Sequence, residues 1–482
     1  MPSPESRAAL ATLILASAAA IACSRPSHLA ADLVVTRANV WTGNRAQPSA
    51  TAIAVIGDRI VDVGSDDEIE RWHGANTTVV DAGGRRLIPG FNDARVRFVG
   101  GGAQLDEVDL TSAPTAAEFA RRINERAKAK PGEWIIGGRW DERAWSPPAL
   151  PVRASIDDIT NSSPVFVLRA DGSMGLANAA ALGRAGITEH TPDPPGGTIV
   201  RGANGFPTGV LQGTAMDRVL RVIPPMSAEQ RLRAIKRALE HAESLGVTSV
   251  QDFGASSEDL AVYADLVNRG ELTVRIYAVT AEAGWYDLVR LGVRRAFGSP
   301  WLRIGAVHAV VDDGRDAAAM RTRLMAADHA GLQLSISAVR GGAAAPLLDL
   351  LDAIASANGG RDRRARVDGT PVAAAEAARL GSLNAIAPAG SGWPAAPLNP
   401  ILALQPTTSA ASLTVADTLT ALTSGAAFAE FQENEKGTIA RGKLADMAIL
   451  DADILTIPAA RVRDVRVLTT IVGGKIVHQR KP

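Results

Sequence analysis

Between residues 31 and 90 the apolar positions fall in short β-branched runs, "ADLVVTRANVWTG", "AIAVIGDRIVDVGS" and "TTVVDAGGRRLIPG", broken by Gly, Asp and Asn. Alternation of this kind predicts short strands joined by tight turns, and the stretch reads as an antiparallel β module. The same texture returns near the other end in "KGTIARGKLADMAILDAD" and "VRVLTTIVGGKIVH". The middle is different. Apolar strand-like runs such as "SPVFVLRA", "GVTSVQDFG" and "GLQLSISAV" alternate with helical patterns such as "AEQRLRAIKRALEHAESLG" and "AAAMRTRLMAADHAG". Strand and helix in alternation predict a parallel sheet with crossover helices, closing as a β/α barrel.

Composition narrows the function classes. The chain has 482 residues, 46% of them hydrophobic, enough for a large core. Lys+Arg and Asp+Glu balance at 51 each, so there is no broad basic face and no nucleic-acid partner is expected. Ahead of the β module, one early basic residue, Arg7, precedes an apolar run of Ala, Leu and Ile ending in small residues. This is the pattern of an export signal, and the run falls short of the roughly 20 apolar residues that span a bilayer. Ala20, Ile21, Ala22 and Cys23 resemble the lipobox of bacterial lipoproteins, in which the cysteine becomes the lipidated first residue. The expectation is an exported protein, lipid-anchored to a bacterial membrane through Cys23 and facing the periplasm or the cell surface. The other reading is an ordinary signal peptide with a chance cysteine. Cys23 is the single cysteine, so no disulfide can form within the chain.

Seven blocks in order, "LIPGFNDA", "GEWIIGGRWDERAW", "RADGSMGLANAAAL", "PDPPGGTIVR", "GVTSVQDFG", "GSGWPAAPLNP" and "KGTIARGKLADMAILDAD", carry a resemblance. They resemble the amidohydrolase superfamily, in its family 3 branch with the N-substituted formamide deformylase-like proteins. The resemblance implies an α/β fold: a distorted, shortened TIM-type (β/α) barrel plus a composite β-sandwich from both chain ends. The corresponding division is a signal peptide at 1–22, a lipidated Cys and tether at 23–31, sandwich at 32–88, barrel with shortened loops at 89–430, and sandwich again at 431–482. In active relatives the barrel binds one or two divalent metals, commonly zinc, and hydrolyses amide, formamide or related C–N bonds. A bound divalent cation lowers the pKa of its water from 15.7 to about 7, which makes hydroxide available at neutral pH.

Carried onto this sequence, the family's metal ligands are missing. The His-x-His of the first strand falls on Arg95 and Arg97, with Asp93 kept. The histidine of the Asp-Gly-His block falls on Ser173, with Asp171 kept, and that of the next block falls on Gln251, with Asp252 kept. A further histidine block becomes Ser337 to Gly341, and the Arg-Ile-Glu-His block becomes Arg366, Val367, Asp368 and Gly369. The last-strand aspartate falls on Gly392. Arginine has no lone pair to offer a metal and keeps its proton at physiological pH, so these exchanges are not conservative. The resemblance therefore implies no catalytic residue, no metal and no cofactor.

Two readings of the arginines stay open. Arg95 and Arg97, joined by Arg340, would bind a small anionic ligand at the C-terminal rim of the barrel. In the other, favoured reading they form an ion-pair network with Asp93, Asp171 and Asp252 that fills the vacated cavity. Ser173 and Ser337 have no histidine base beside them in the sequence, and His308 on a barrel-like strand reads as a hydrogen-bonded core residue. Trp134, Trp140 and Trp145 read as packing residues. The expected role is that of a catalytically inactive member, an accessory or structural subunit with protein partners in an envelope complex. An anion-binding or sensory module is the first alternative; a working hydrolase of non-peptide C–N bonds is the second.

Overall fold

The computed structural model describes residues 29–160, 163–311, 316–339, 342–405 and 413–480. Cys23 and the leader, Asp312 and Asp313, and Arg340 lie outside the described residues.

Both chain ends meet in one sheet. Strand Arg86–Pro89 pairs antiparallel with Met447–Leu450, Ile88 opposite Ala448, and the six-stranded sheet they share continues to Val467–Val472 and Lys475–Gln479. A four-stranded sheet, built from Leu33–Thr36, Ala52–Ile56, Arg59–Gly64 and Thr78–Asp81, faces it. Leu33, Val35, Ile53 and Val55 from one sheet and Leu87, Met447, Ile449 and Ile471 from the other form one buried cluster. The alternation of apolar and polar positions is thus satisfied by a sandwich core. The pairing is not purely antiparallel, as the sequence suggests, since Leu33–Thr36 runs parallel to Thr78–Asp81 and Asn39–Trp41 parallel to Arg86–Pro89.

The middle of the chain supplies a run of parallel strands: β1 (Phe91–Val96), β2 (Val247–Phe253), β3 (Arg275–Ala281), β4 (Leu302–Val311), β5 (Gln333–Ala338), β6 (Ala365–Val367) and β7 (Ala385–Ile386). Each pairs in parallel with the next. Just past β7 the chain bonds back to β1: Ala94 N–H donates to Ala389 O at 3.2 Å, Gly392 N–H to Arg95 O at 2.8 Å and Arg97 N–H to Trp393 O at 2.7 Å. Among the described residues these bonds bring the chain after the last strand back to the first, covering part of the edge that a shortened barrel would expose. Between β1 and β2, residues 108–213 do not add to the barrel wall. They carry a separate mixed sheet in which "SPVFVLRA" supplies Val165–Arg169.

The helix Ala228–Ser244 shows how local sequence sets position. Ser227 caps it, with Gln230 completing a capping box, and Ala234, Ile235, Ala238, Leu239 and Ala242 form its buried face. Against it packs Phe98–Leu105, close enough that a Cβ on Gly102 would sit 1.9 Å from the Ala234 carbonyl oxygen. The "VGGG" run is a contact surface for a neighbouring helix. A buried ion pair, Arg275 to Asp446 at 2.7 and 2.8 Å, fastens β3 to the sandwich. Trp140 and Trp145 are core residues, each packed edge-on against Phe119.

Candidate functional site at the barrel mouth

The positions singled out on β1, β2, β5 and β6 converge at the C-terminal ends of the strands, where ligands bind in this architecture. At their centre stands a residue to which sequence reasoning gave no role there, Arg366 on β6. Its side chain is fully buried, as is that of Asp368. The guanidinium donates to Asp368 through Nε to Oδ2 at 3.1 Å and Nη2 to Oδ1 at 2.9 Å. It also donates to Gln251 Oε1 and, at 2.5 Å, to the Ala94 carbonyl oxygen on β1. Ser335 Oγ donates to Asp368 Oδ2 at 2.7 Å, and Gln251 Nε2 to Ala426 O at 2.8 Å. Strands β1, β2, β5 and β6 are thus tied together across the barrel by one buried cation and its carboxylate.

Arg95 sits above this layer. A Cβ on Gly369 would lie 2.4 Å from Arg95 Nη1 and one on Gly392 would lie 3.7 Å from it, so these two glycines line the slot for one guanidinium. Gly369 has φ +63°, a conformation that favours glycine. Arg97, at the start of Phe98–Leu105, is exposed.

The favoured ion-pair reading is corrected here. Among the described residues neither Arg95 nor Arg97 comes within 4.0 Å of a carboxylate, because each aspartate in that scheme is held by other donors. Asp93 accepts from the N–H groups of Arg95 at 3.0 Å and Ser391 at 2.9 Å, and burial pushes its carboxyl pKa up. Asp252 accepts from Phe98 N–H at 2.7 Å and Tyr263 Oη–H at 2.8 Å, and burial raises it to about 7. Asp171 lies apart in the turn between Val165–Arg169 and Met174–Ala177, paired with Arg169 at 3.0 Å and accepting from Ser173 Oγ at 2.7 Å. Ser173 is exposed there.

A second correction concerns Ser337, which does have a histidine beside it. His308 Nε2 lies 3.0 Å from Ser337 Oγ across β4 and β5. Burial, reinforced by the charges of Arg95, Arg97 and Arg366, lowers the imidazole to about 4, against a smaller opposing effect of Asp368. The ring of Phe253 is the common neighbour: His308 packs edge-on to it at 5.2 Å, with the Arg366 and Arg95 guanidinium carbons 5.1 and 5.9 Å from its centroid.

These residues do not fit a divalent metal ion. Among the described residues no group of three or more His, Cys, Asp or Glu side chains is arranged to hold one. Asp368, the carboxylate nearest the centre, already has both oxygens engaged by Arg366 and Ser335. His308 stands beside cations, which oppose a divalent ion as they oppose a proton.

The fold and its site can be set beside known proteins. The amidohydrolase family model matches residues 78–395 and 407–478. The chain belongs to the amidohydrolase family. Protein LONG AFTER FAR-RED 3 of Arabidopsis thaliana is 30% identical, over 94% of this chain and 92% of its own. N-substituted formamide deformylase of Arthrobacter pascens is 33% identical over 37% of this chain and 34% of its own. The crystal structure of an uncharacterized metal-dependent hydrolase from Pyrococcus furiosus superposes with a TM-score of 0.72 at 18% identity, covering 88% of this chain and all of that one. The last likeness concerns fold alone. This amidohydrolase-family chain thus shares the distorted TIM barrel.

Proposed function

We propose that this amidohydrolase-family chain does not carry out the family's metal-dependent hydrolysis and serves instead as a non-hydrolytic accessory or structural subunit, held at a bacterial envelope through Cys23. The observation that carries the reading is the Arg366–Asp368 pair, fully buried at the centre of the barrel and bonded to Gln251 and Ala94 O. Hydroxide generation requires a cation seated on lone pairs. Here a buried guanidinium bonded to Asp368, Gln251 and the Ala94 carbonyl oxygen stands at the centre of the barrel, and its charge opposes a metal ion beside it.

The test is elemental analysis of the purified full chain after incubation with zinc, iron or manganese, together with a turnover assay on an N-substituted formamide with and without chelator. The reading expects substoichiometric metal that washes off and no chelator-sensitive turnover. Near-stoichiometric metal retained through dialysis, or hydrolysis that a chelator abolishes, would overturn it in favour of a working hydrolase of C–N bonds. The subunit role has its own measurement, co-purification of stoichiometric protein partners from the detergent-solubilised native membrane. Recovery of the chain alone would refute that part.

A further inference from the structure

Several buried or half-buried arginines of this chain are paired with carboxylates. Arg275 binds Asp446, Arg366 binds Asp368, Arg169 binds Glu142 and Arg364 binds Glu433. Arg95 and Arg97 at the barrel mouth are not: neither side chain forms an ion pair with, or donates a hydrogen bond to, any of the described residues. Arg95 Nε is sealed from solvent and has no hydrogen-bond partner. A partly dry guanidinium with an unsatisfied N–H carries a desolvation cost that a ligand can recover.

Among the described residues no carboxylate on the neighbouring strands pairs directly with either arginine. Asp93 faces backbone N–H groups, Asp252 faces Phe98 N–H and Tyr263, and Asp368 is already matched by Arg366. Among the described residues the mouth therefore holds two arginine side chains without a directly paired carboxylate. Around them stand two further polar groups, Ser337 and His308, 3.0 Å apart.

A serine nucleophile with a histidine base is one use of that pair, and the surrounding charge disfavours it. Proton abstraction would create an imidazolium facing Arg95, Arg97 and Arg366, and burial already drives the ring toward its neutral form. No carboxylate hydrogen-bonds His308 among the described residues to stabilise that imidazolium, as the third member of a triad would. Arginines without a directly paired carboxylate, beside a neutral donor and a hydroxyl, suit the binding of an anion.

We propose that the mouth formed by Arg95, Arg97, Ser337 and His308 binds a small molecule through a dianionic oxyanion group. Two guanidinium groups match two negative charges, and their forked N–H groups suit oxygens presented in pairs. Ser337 Oγ–H can turn from His308 to the ligand. This rests on the metal-free reading of the same site, so metal content is measured on the sample used for binding. A metal-loaded sample counts against that earlier reading, and a metal-free sample that binds no anion counts against this one alone.

Inorganic phosphate and succinate are titrated into the full chain by calorimetry, with acetate as the monoanion control. The expected result is saturable binding of phosphate, of succinate or of both, with acetate at least tenfold weaker; which dianion binds separates a phosphate ligand from a dicarboxylate. The Arg95→Gln/Arg97→Gln variant should weaken binding tenfold or more, Ser337→Ala severalfold, and Arg143→Gln, at an exposed arginine paired with Asp141, not at all. Because Arg95 is partly buried, Arg97→Gln alone is the second variant; its exposed position leaves folding intact, and it should still cost severalfold. Absence of saturable binding, equal affinity for acetate, or unchanged binding in both arginine variants would overturn the proposal.

Discussion

If Arg366 occupies the barrel centre as a structural cation, its removal must cost far more than that of an exposed arginine. In Arg366→Met the carboxylate of Asp368, with its residue fully buried, keeps Ser335 Oγ–H as its remaining partner, while Gln251 Oε1 and the Ala94 carbonyl oxygen each lose a donor. Breaking a buried pair from one side costs about 3–5 kcal/mol, a large share of the roughly 5–15 kcal/mol that holds a domain together. Asp368→Leu strands the guanidinium and should cost a similar amount. The Arg366→Met/Asp368→Leu double variant leaves neutral polar groups without partners but no lone charge, so its cost should fall short of the sum by about 2 kcal/mol or more. Urea unfolding followed by circular dichroism and fluorescence measures the cycle, provided the two probes give coincident transitions. Single variants costing under about 1 kcal/mol, or costs that simply add, would mean that the guanidinium is solvated and the centre open to an ion. The reasoning would then fail.

Asp252→Asn tests burial at β2. The carboxyl is raised from 3.8 to about 7, so its contribution is fully present below pH 3.8 and is lost as pH rises through 7; the loss is on the order of 4 kcal/mol and should vanish in the variant's stability-against-pH curve. His308 shifts in the opposite sense, from 6.5 to about 4, so the native state loses stability as pH falls through that window, and His308→Asn should flatten this limb by about 3 kcal/mol. The two slopes overlap and oppose, so each is read as a difference from wild type. Gly369→Ala adds a Cβ 2.4 Å from Arg95 Nη1 at φ +63°, which predicts a loss of about 1–2 kcal/mol in thermal or urea unfolding. Cys23→Ser should abolish incorporation of radiolabelled palmitate and move the chain out of the membrane fraction; unchanged labelling would refute anchoring at that residue.

Much of the fold is written in local pattern. "SAEQRLRAIKRALEHAES" announces its helix through a serine cap, a glutamine three residues on, and apolar residues at helical spacing, and each of those features is in place. The sandwich strands are equally plain from alternation. Partner choice is not. The run "SPVFVLRA" looks as much a barrel strand as "GVTSVQDFG" does, yet one enters the separate mixed sheet and the other the barrel wall. A strand's own residues record how buried its faces are; the neighbour it pairs with is set by contacts far along the chain. The parallel pairings in the N-terminal module escaped for the same reason.

The site divides along the same line. The place of Arg95 and Arg97 at the end of the first barrel strand was legible from period-two spacing. What filled the centre was not. Arg366 lies in "RDRRARVDG", where the resemblance matched it to a family block without giving it a role, and the strand Ala365–Val367 buries it. The approach of His308 to Ser337 depends on register: β4 and β5 align His308 with Ser335, and alternation brings Ser337, two residues on, to the same face as a diagonal neighbour. A slip of one residue would turn Ser335 and Ser337 to the other face and leave His308 without a hydroxyl. The His308–Ser337 pair is therefore a property of strand pairing, and it becomes visible only once the two strands are set in register.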